Sequence, residues 1–282
     1  MLPYLRLPTS ALPYRNLTET CELVKQSVQS VVISGASAGL GRALALQYAI
    51  PERALGLLGR DKARLTEAAA ACRARGANVT IGAFDLLDVS ATGDWMRAFD
   101  AAQPIDLLIV NAGVFTGHGA NRVMETDEEI MAMLRTNLES ATTTISAALP
   151  MLRARRQGRI AIVGSLAALQ PLADAPAYSA SKAGLMSYGE ALREWLIPDR
   201  VAVTLIYPGH IDTNQVASHV GALPMIMSAE AAAARIKRGL DRGRAFIAFP
   251  LPLLWLIRAG RLLPWRLRAA LGASMRFHVD KE

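Results

Sequence analysis

Apolar residues in this chain fall in short unbroken runs: Val31-Val32-Ile33, Ala54-Leu-Gly-Leu-Leu58, Leu107-Leu-Ile-Val110, Ile160-Ala-Ile-Val163 and Val201-Ala-Val-Thr-Leu-Ile206. Longer stretches of helical character separate them. An antiparallel sheet with one wet face would alternate apolar and polar positions. A continuous run is what a strand covered on both faces requires. Buried strands alternating with helices predict an α/β fold, a single doubly wound parallel sheet with helices on both sides. The 282 residues suffice for one domain with a large core. The predicted organisation is an N-terminal arm over residues 1–30, an α/β domain over 31–250 and a basic amphipathic tail over 251–282. The Ala-rich segments Ala68–Ala71 and Ala231–Ala234 are strong helix formers and need no further function.

The first strand runs into Ser34-Gly35-Ala36-Ser37-Ala38-Gly39-Leu40-Gly41 and then into the helical stretch Arg42–Ala49. Strand, glycine turn and helix in this order form an anion site. Gly35 lets the chain turn, Gly39 permits close approach of a pyrophosphate, and Gly41 lets the helix pack on the sheet with its N–H groups facing the anion. The glycine spacing is G-x-x-x-G-x-G rather than G-x-G-x-x-G. Farther on, Tyr178 and Lys182 stand four residues apart, on one face of a helix. A neighbouring ammonium favours a phenolate, so Lys182 is expected to lower the pKa of Tyr178 toward neutrality. Tyrosine and lysine recur at this spacing on many solvated helices, so the pair gains meaning only from its partners.

Those partners occur in order: the glycine turn, Asp85 after the third strand, Asn111-Ala112-Gly113 after the fourth, Asn137 in the next long helix, Ser165 after the fifth, Tyr178 with Lys182, and Pro208-Gly209 with Thr213 after the sixth. From about Val31 to about Pro250 the chain resembles the short-chain dehydrogenase/reductase family. The resemblance implies a Rossmann fold and NAD(P)-dependent oxidoreduction of a carbonyl or alcohol. It implies a catalytic set of Asn137, Ser165, Tyr178 and Lys182. It implies cofactor binding by Gly35, Ser37, Ala38, Gly39, Leu40, Gly41, Arg60, Asp85, Leu86, Asn111, Ala112, Gly113, Tyr178, Lys182, Pro208, Gly209, Ile211 and Thr213. In reduction, a carbonyl oxygen needs a proton as it becomes an alkoxide. Tyr178 would donate it, Ser165 would hydrogen-bond the same oxygen, and Lys182 would hold the ribose and stabilise the phenolate. Asn137 would keep a water in the relay to Lys182. Asp85 would meet the adenine. A homodimer or homotetramer is also implied, through the helices carrying Asn137 and Tyr178.

Cofactor choice turns on the end of the second strand, Leu58-Gly59-Arg60-Asp61. An acidic residue there binds a ribose 2′-hydroxyl, whereas an arginine accommodates a 2′-phosphate. Glycine at the usual acidic site with Arg60 beside it favours NADP(H) over NAD(H), while Asp61 keeps a ribose contact open. The segment Asp212–Met227 is expected to cap the substrate pocket. Its Val220, Leu223, Met225, Ile226 and Met227 either line an apolar pocket or pack the cap on the body. The substrate read from the first alternative is a small molecule, a long or bulky hydrophobic carbonyl or alcohol.

The tail mixes Trp255, Trp265 and many leucines with Arg258, Arg261, Arg266 and Arg268. Charge and proline interrupt it too often for a membrane span. Two readings remain: a helix pair covering the lid or a neighbouring subunit, and amphipathic pieces lying in a bilayer interface. Formal net charge is +7, yet no basic stripe with a reading motif points to nucleic acid. Cys21 and Cys72 form no disulfide pattern, and His118, His210, His219 and His278 lack ligand spacing, so no metal is expected. Met1–Pro8 lacks a secretory h-region, and Asn16-Leu-Thr18 is a sequon by letters only. The expected location is cytoplasmic, with peripheral contact at the inner face of a membrane as the tail's alternative. A cofactor-sensing or scaffolding protein without turnover is the competing functional class. The intact Asn137, Ser165, Tyr178 and Lys182 argue against it.

Overall fold

The computed structural model of the chain describes residues 27–213, 219–221, 223–273 and 276–280. The N-terminal arm through residue 26, with the Asn16 sequon and Cys21, lies outside them, as do positions 214–218 and 222 of the expected cap.

Seven parallel strands form the central sheet: β1 (Ser30–Ser34), β2 (Ala54–Gly59), β3 (Asn78–Ala83), β4 (Leu107–Val110), β5 (Gly158–Val163), β6 (Val201–Pro208) and β7 (Phe246–Phe249). Their order is β7-β6-β5-β4-β1-β2-β3. The helices are α1 (Gly39–Tyr48), α2 (Lys62–Arg73), α3 (Val89–Ala102), α4 (Asp127–Leu134), α5 (Ser140–Arg155), α6 (Pro176–Trp195), α7 (Ala229–Asp241), α8 (Leu251–Gly260) and α9 (Trp265–Gly272). The apolar runs are the strands, and each feeds both faces. Val31 and Ile33 of β1 join Leu44 of α1, Leu65 of α2 and Ile236 of α7 in one core. Val32, between them, joins Met96 of α3, Ile145 of α5 and Leu185 of α6 in the other. Successive strand residues point to opposite faces, so a both-sides core demands an unbroken apolar run.

After β3 the chain crosses back to lay β4 on the far side of β1. Helices therefore diverge at the C-terminal ends of β1 and β4 and leave a crevice there, where ligands of such sheets bind. The Asp106 carboxylate pins the opposite end of this strand pair, accepting the Gln29 N–H at 2.7 Å and the Ser30 N–H at 3.0 Å.

Candidate active site

At the C-terminal end of β1 the backbone turns with positive φ at Gly35 (65°) and Gly39 (50°). A Cβ on Gly35 would stand 2.7 Å from the Cα of Ala112, and one on Gly41 would meet the Gly35 carbonyl and lie 2.6 Å from Asn111 Nδ2. Only glycine lets the turn nest against the β4 end. Ser34 completes the joint: its hydroxyl accepts the N–H groups of Asn111 at 2.9 Å and Ala112 at 3.1 Å, while Asn111 Nδ2 donates to the Ser34 and Gly35 carbonyls. Asn111 thus acts through the turn's backbone. Helix α1 then starts at Gly39 with no side-chain cap from Ala38 and no acidic residue in its first turn. Its leading N–H groups and positive dipole end are left for an external anion.

Beyond this turn the crevice widens into a cavity of about 710 Å³. Apart from Asn137, every residue expected in the site lines it, from Gly35 through Thr213. Arg60 stands exposed at the end of β2. Asp61, which the sequence left open as a ribose ligand, is committed elsewhere: its carboxylate caps α2 by accepting the Arg64 N–H at 3.0 Å and pairs with the Arg64 side chain at 3.1 Å.

On the other side of the crevice, α6 carries Tyr178 and Lys182, and the end of β5 carries Ser165. Tyr178 and Ser165 both line the cavity, and the Ser165 side chain interacts with the Tyr178 hydroxyl. Ser165 is itself fixed by accepting the Ala167 N–H at 3.1 Å. Lys182 is only 5 % exposed. Its Nζ lies 5.8 Å from the Tyr178 ring centre and donates a long 3.4 Å bond to the Val163 carbonyl. Burial drives the lysine down to about 8. Burial likewise raises Tyr178, and the Ser165 interaction only partly opposes this. The expected lowering of Tyr178 by Lys182 is therefore not what this structure has. The same burial that brings the two together penalises the phenolate.

Asn137 sits in a π turn, Arg135–Glu139, between α4 and α5. It is fully buried, and its side chain is occupied. Oδ1 accepts the Val114 N–H at 2.7 Å, while Nδ2 donates to the Val114 carbonyl at 2.9 Å and to Ser181 Oγ at 3.1 Å. It fixes the loop after β4 to α6. A Cβ on Gly113 would stand 3.0 Å from its Oδ1 and 3.3 Å from Lys182 Nζ, so glycine there lets Asn137 and Lys182 approach.

On the substrate side, of the two readings for the cap the structure supports packing over lining. Val220, Leu223, Met225, Ile226 and Met227 are absent from the cavity lining, and Met227 instead packs on the core. The apolar wall comes from Leu253, Leu256 and Ile257 of α8 and from Leu263 and Leu271 beyond it. A strap from the chain's far end closes another side. His278–Val279 pairs antiparallel with His219–Val220, and Phe277 stacks on His219 with ring centres 4.3 Å apart. Phe115 stands edge-on to Tyr178 at 4.9 Å. The buried Asp174 carboxylate anchors the strap, accepting Arg276 Nε at 2.8 Å and the Phe277 N–H at 3.1 Å. His210 lines the cavity, as does His219. Burial pushes both imidazoles down, toward the neutral form. Among the described residues no group of side chains has the makings of a metal site.

An uncapped helix end behind a glycine turn, facing a serine–tyrosine pair across a crevice at the sheet's switch point, defines a dinucleotide-binding α/β oxidoreductase. The chain belongs to the short-chain dehydrogenase family, whose pattern it matches over residues 29–222. It is 35 % identical over 243 residues to an uncharacterized oxidoreductase of Myxococcus xanthus, covering 86 % of this chain and 95 % of that one. It is 37 % identical over 188 residues to the 3-dehydrosphinganine reductase TSC10B of Arabidopsis thaliana, covering 65 % of this chain and 55 % of that one. Among solved structures, a short-chain dehydrogenase from Sphingobium yanoikuyae in complex with NADPH superposes with a TM-score of 0.71 at 26 % identity, over 88 % of this chain and 97 % of that one. One from Burkholderia phymatum in complex with NAD gives 0.74 at 20 % identity, over 84 % and 94 %, a likeness of fold alone.

Proposed function

We propose that this chain is an NADP(H)-dependent reductase of hydrophobic ketones. The observation that carries the reading is the joining, within one cavity, of the Ser165–Tyr178 pair and an apolar wall of Leu253, Leu256 and Ile257. The uncapped start of α1 and the glycines at 35, 39 and 41 suit a pyrophosphate. Arg60, with Gly59 in place of an acidic residue and Asp61 engaged in its cap, suits a 2′-phosphate. The cofactor supplies the hydride and takes it up again in the reverse direction; the carbonyl gains that hydride at carbon and one proton at oxygen.

The chain's own residues handle the proton. Ser165 holds the carbonyl oxygen, and Tyr178, kept protonated by burial, donates to it. Lys182, brought down to about 8 by burial, serves the ribose and returns a proton to the phenolate. Asn137 is a positioning residue through Val114 and Ser181. A relative named as a reductase supports the reductive direction. Membership of the family supports a homodimer or homotetramer on the outer faces of α5 and α6, which sedimentation velocity tests.

Titration with NADPH and NADH, following nicotinamide fluorescence, with Arg60→Ala alongside, tests the cofactor. Tighter NADPH binding that Arg60→Ala abolishes is expected; equal affinity for both removes the argument from Arg60. Screening apolar ketones with Tyr178→Phe as control tests the chemistry. The variant should lose turnover about 10²-fold or more while still binding NADPH, and a fully active variant would refute Tyr178 as the acid. Cofactor binding without turnover on any carbonyl would favour the sensing class instead.

A further inference from the structure

Helices α8 and α9 use two faces. Their inner side closes the cavity through Leu253, Ile257 and Leu263. Among the described residues their outer side is left open: Trp255 is 62 % exposed, Leu262 88 % and Trp265 67 %. Leu251, Trp255 and Arg258 stand at helical spacing on α8, and Leu262 follows in the turn after it. Four arginines, at 258, 261, 266 and 268, accompany these residues, and no acidic residue occurs from 251 to 273. None of the four pairs with a carboxylate among the described residues. Arg258 and Arg266 instead lie over the Trp255 and Trp265 rings, at 5.4 and 5.5 Å from the ring centres.

Arg261 donates to the Leu169 carbonyl at 2.7 Å and Arg268 lines the cavity, but exposed tryptophan and leucine interleaved with arginines that have no carboxylate partner is the composition of a segment lying at the boundary of headgroups and acyl chains, with guanidinium groups on anionic lipid. Neither helix has the length to cross a bilayer, and no described helix is long and apolar enough to do so. Two residues connect the outer face with the interior. Leu256 and Leu271, 62 % and 63 % exposed, both also line the cavity. The mouth of the cavity therefore opens among the residues that would enter the lipid.

We propose that the α8–α9 face docks on an anionic bilayer and that the substrate is a membrane-resident lipid ketone entering the cavity past Leu256 and Leu271. This deepens the reading of the site as an apolar-ketone reductase and rests on it.

The test uses the full chain with vesicles of phosphatidylcholine, with and without phosphatidylglycerol, in co-sedimentation. The comparison protein is Trp255→Ser/Leu262→Ser/Trp265→Ser, in which none of the altered side chains lines the cavity. The expected result is pelleting with anionic vesicles, weakened by about tenfold in the triple variant and by salt. A second arm compares a water-soluble ketone with a long-chain ketone carried in the vesicles: the triple variant should keep the first rate and lose the second about tenfold. NADPH affinity and urea midpoint, unchanged in the variant, show that it is folded. The docking proposal is overturned if the full chain stays in the supernatant, or if the triple variant pellets equally. It is also overturned if the face proves to bury itself in a second copy of the chain, seen as a dimer that the three serines dissociate. Turnover of the soluble ketone without vesicle binding would sink docking and leave the reductase reading standing; vesicle binding without any turnover would do the reverse.

Discussion

Lys182 is a buried base held far from its ordinary proton affinity, and that has a measurable consequence for stability. Unfolded, the amine keeps its proton up to about 10.5; folded, burial brings this down to about 8. Between these values the unfolded chain binds more protons than the folded one, so stability rises with pH across this window. Below it, the folded state carries the full cost of the buried ammonium. At about 1.4 kcal/mol for each tenfold change in proton affinity, that cost is about 3 kcal/mol. Lys182→Met keeps the apolar stem and removes the charge. Made in a Tyr178→Phe background, so that a single group titrates, it should be more stable than its Lys182 parent by about 3 kcal/mol at pH 7. The advantage should shrink steadily above pH 8 and level off near 10.5, leaving only packing differences. Urea unfolding of both proteins at a series of pH values reads it, and comparing them at each pH cancels every other titration. An advantage that stays the same from pH 7 to pH 10.5 would refute the reasoning, because the lysine would then be hydrated and unshifted.

The cofactor end allows a redesign. A Cβ on Gly59 would meet nothing closer than the Leu65 side chain at 3.6 Å, an ordinary contact, so Gly59→Asp should fold normally. It places a carboxylate at the site that favours a free 2′-hydroxyl, and the ratio of NADH to NADPH affinity should rise about tenfold or more, as read by fluorescence titration. At the other end, Asp174→Ala removes the acceptor for both Arg276 and the Phe277 N–H. With Arg276 itself more than half exposed, the loss of stability should be about 1–3 kcal/mol in urea. KM for apolar ketones should rise while the NADPH dissociation constant holds; a weakened NADPH affinity would show that the strap serves the cofactor side.

What the sequence made legible, and what it hid, separates by the range of the interactions involved. The glycine turn could be read from letters because its demands are local: a positive φ at Gly35 and a Cβ-free approach at Gly41 are met within one strand–turn–helix unit. Strand positions were equally open, since burial on both faces leaves unbroken apolar runs such as Leu107–Val110. Ser34 was within reach as well; its place at the end of β1, beside the Asn111 loop, was the available signal. Three things were not legible. Asp174 and Arg276 stand 102 residues apart in sequence, and no pattern at either position announces the other. The balance at Tyr178 and Lys182 depends on how much protein surrounds them, and spacing on a helix carries no measure of that.

The apolar wall shows the same limit most sharply. Amphipathic spacing told that α8 has two faces, and left lid cover and bilayer contact as rivals, because a period identifies a stripe without identifying what lies on it. In the fold Leu253 and Ile257 line the cavity, Trp255 and Leu262 are exposed, and Leu256 is both. Covering the site and meeting a lipid surface are compatible tasks for one short helix whose two faces are both apolar. A helix serving only as a lid would be expected to show polar residues where this one shows tryptophan.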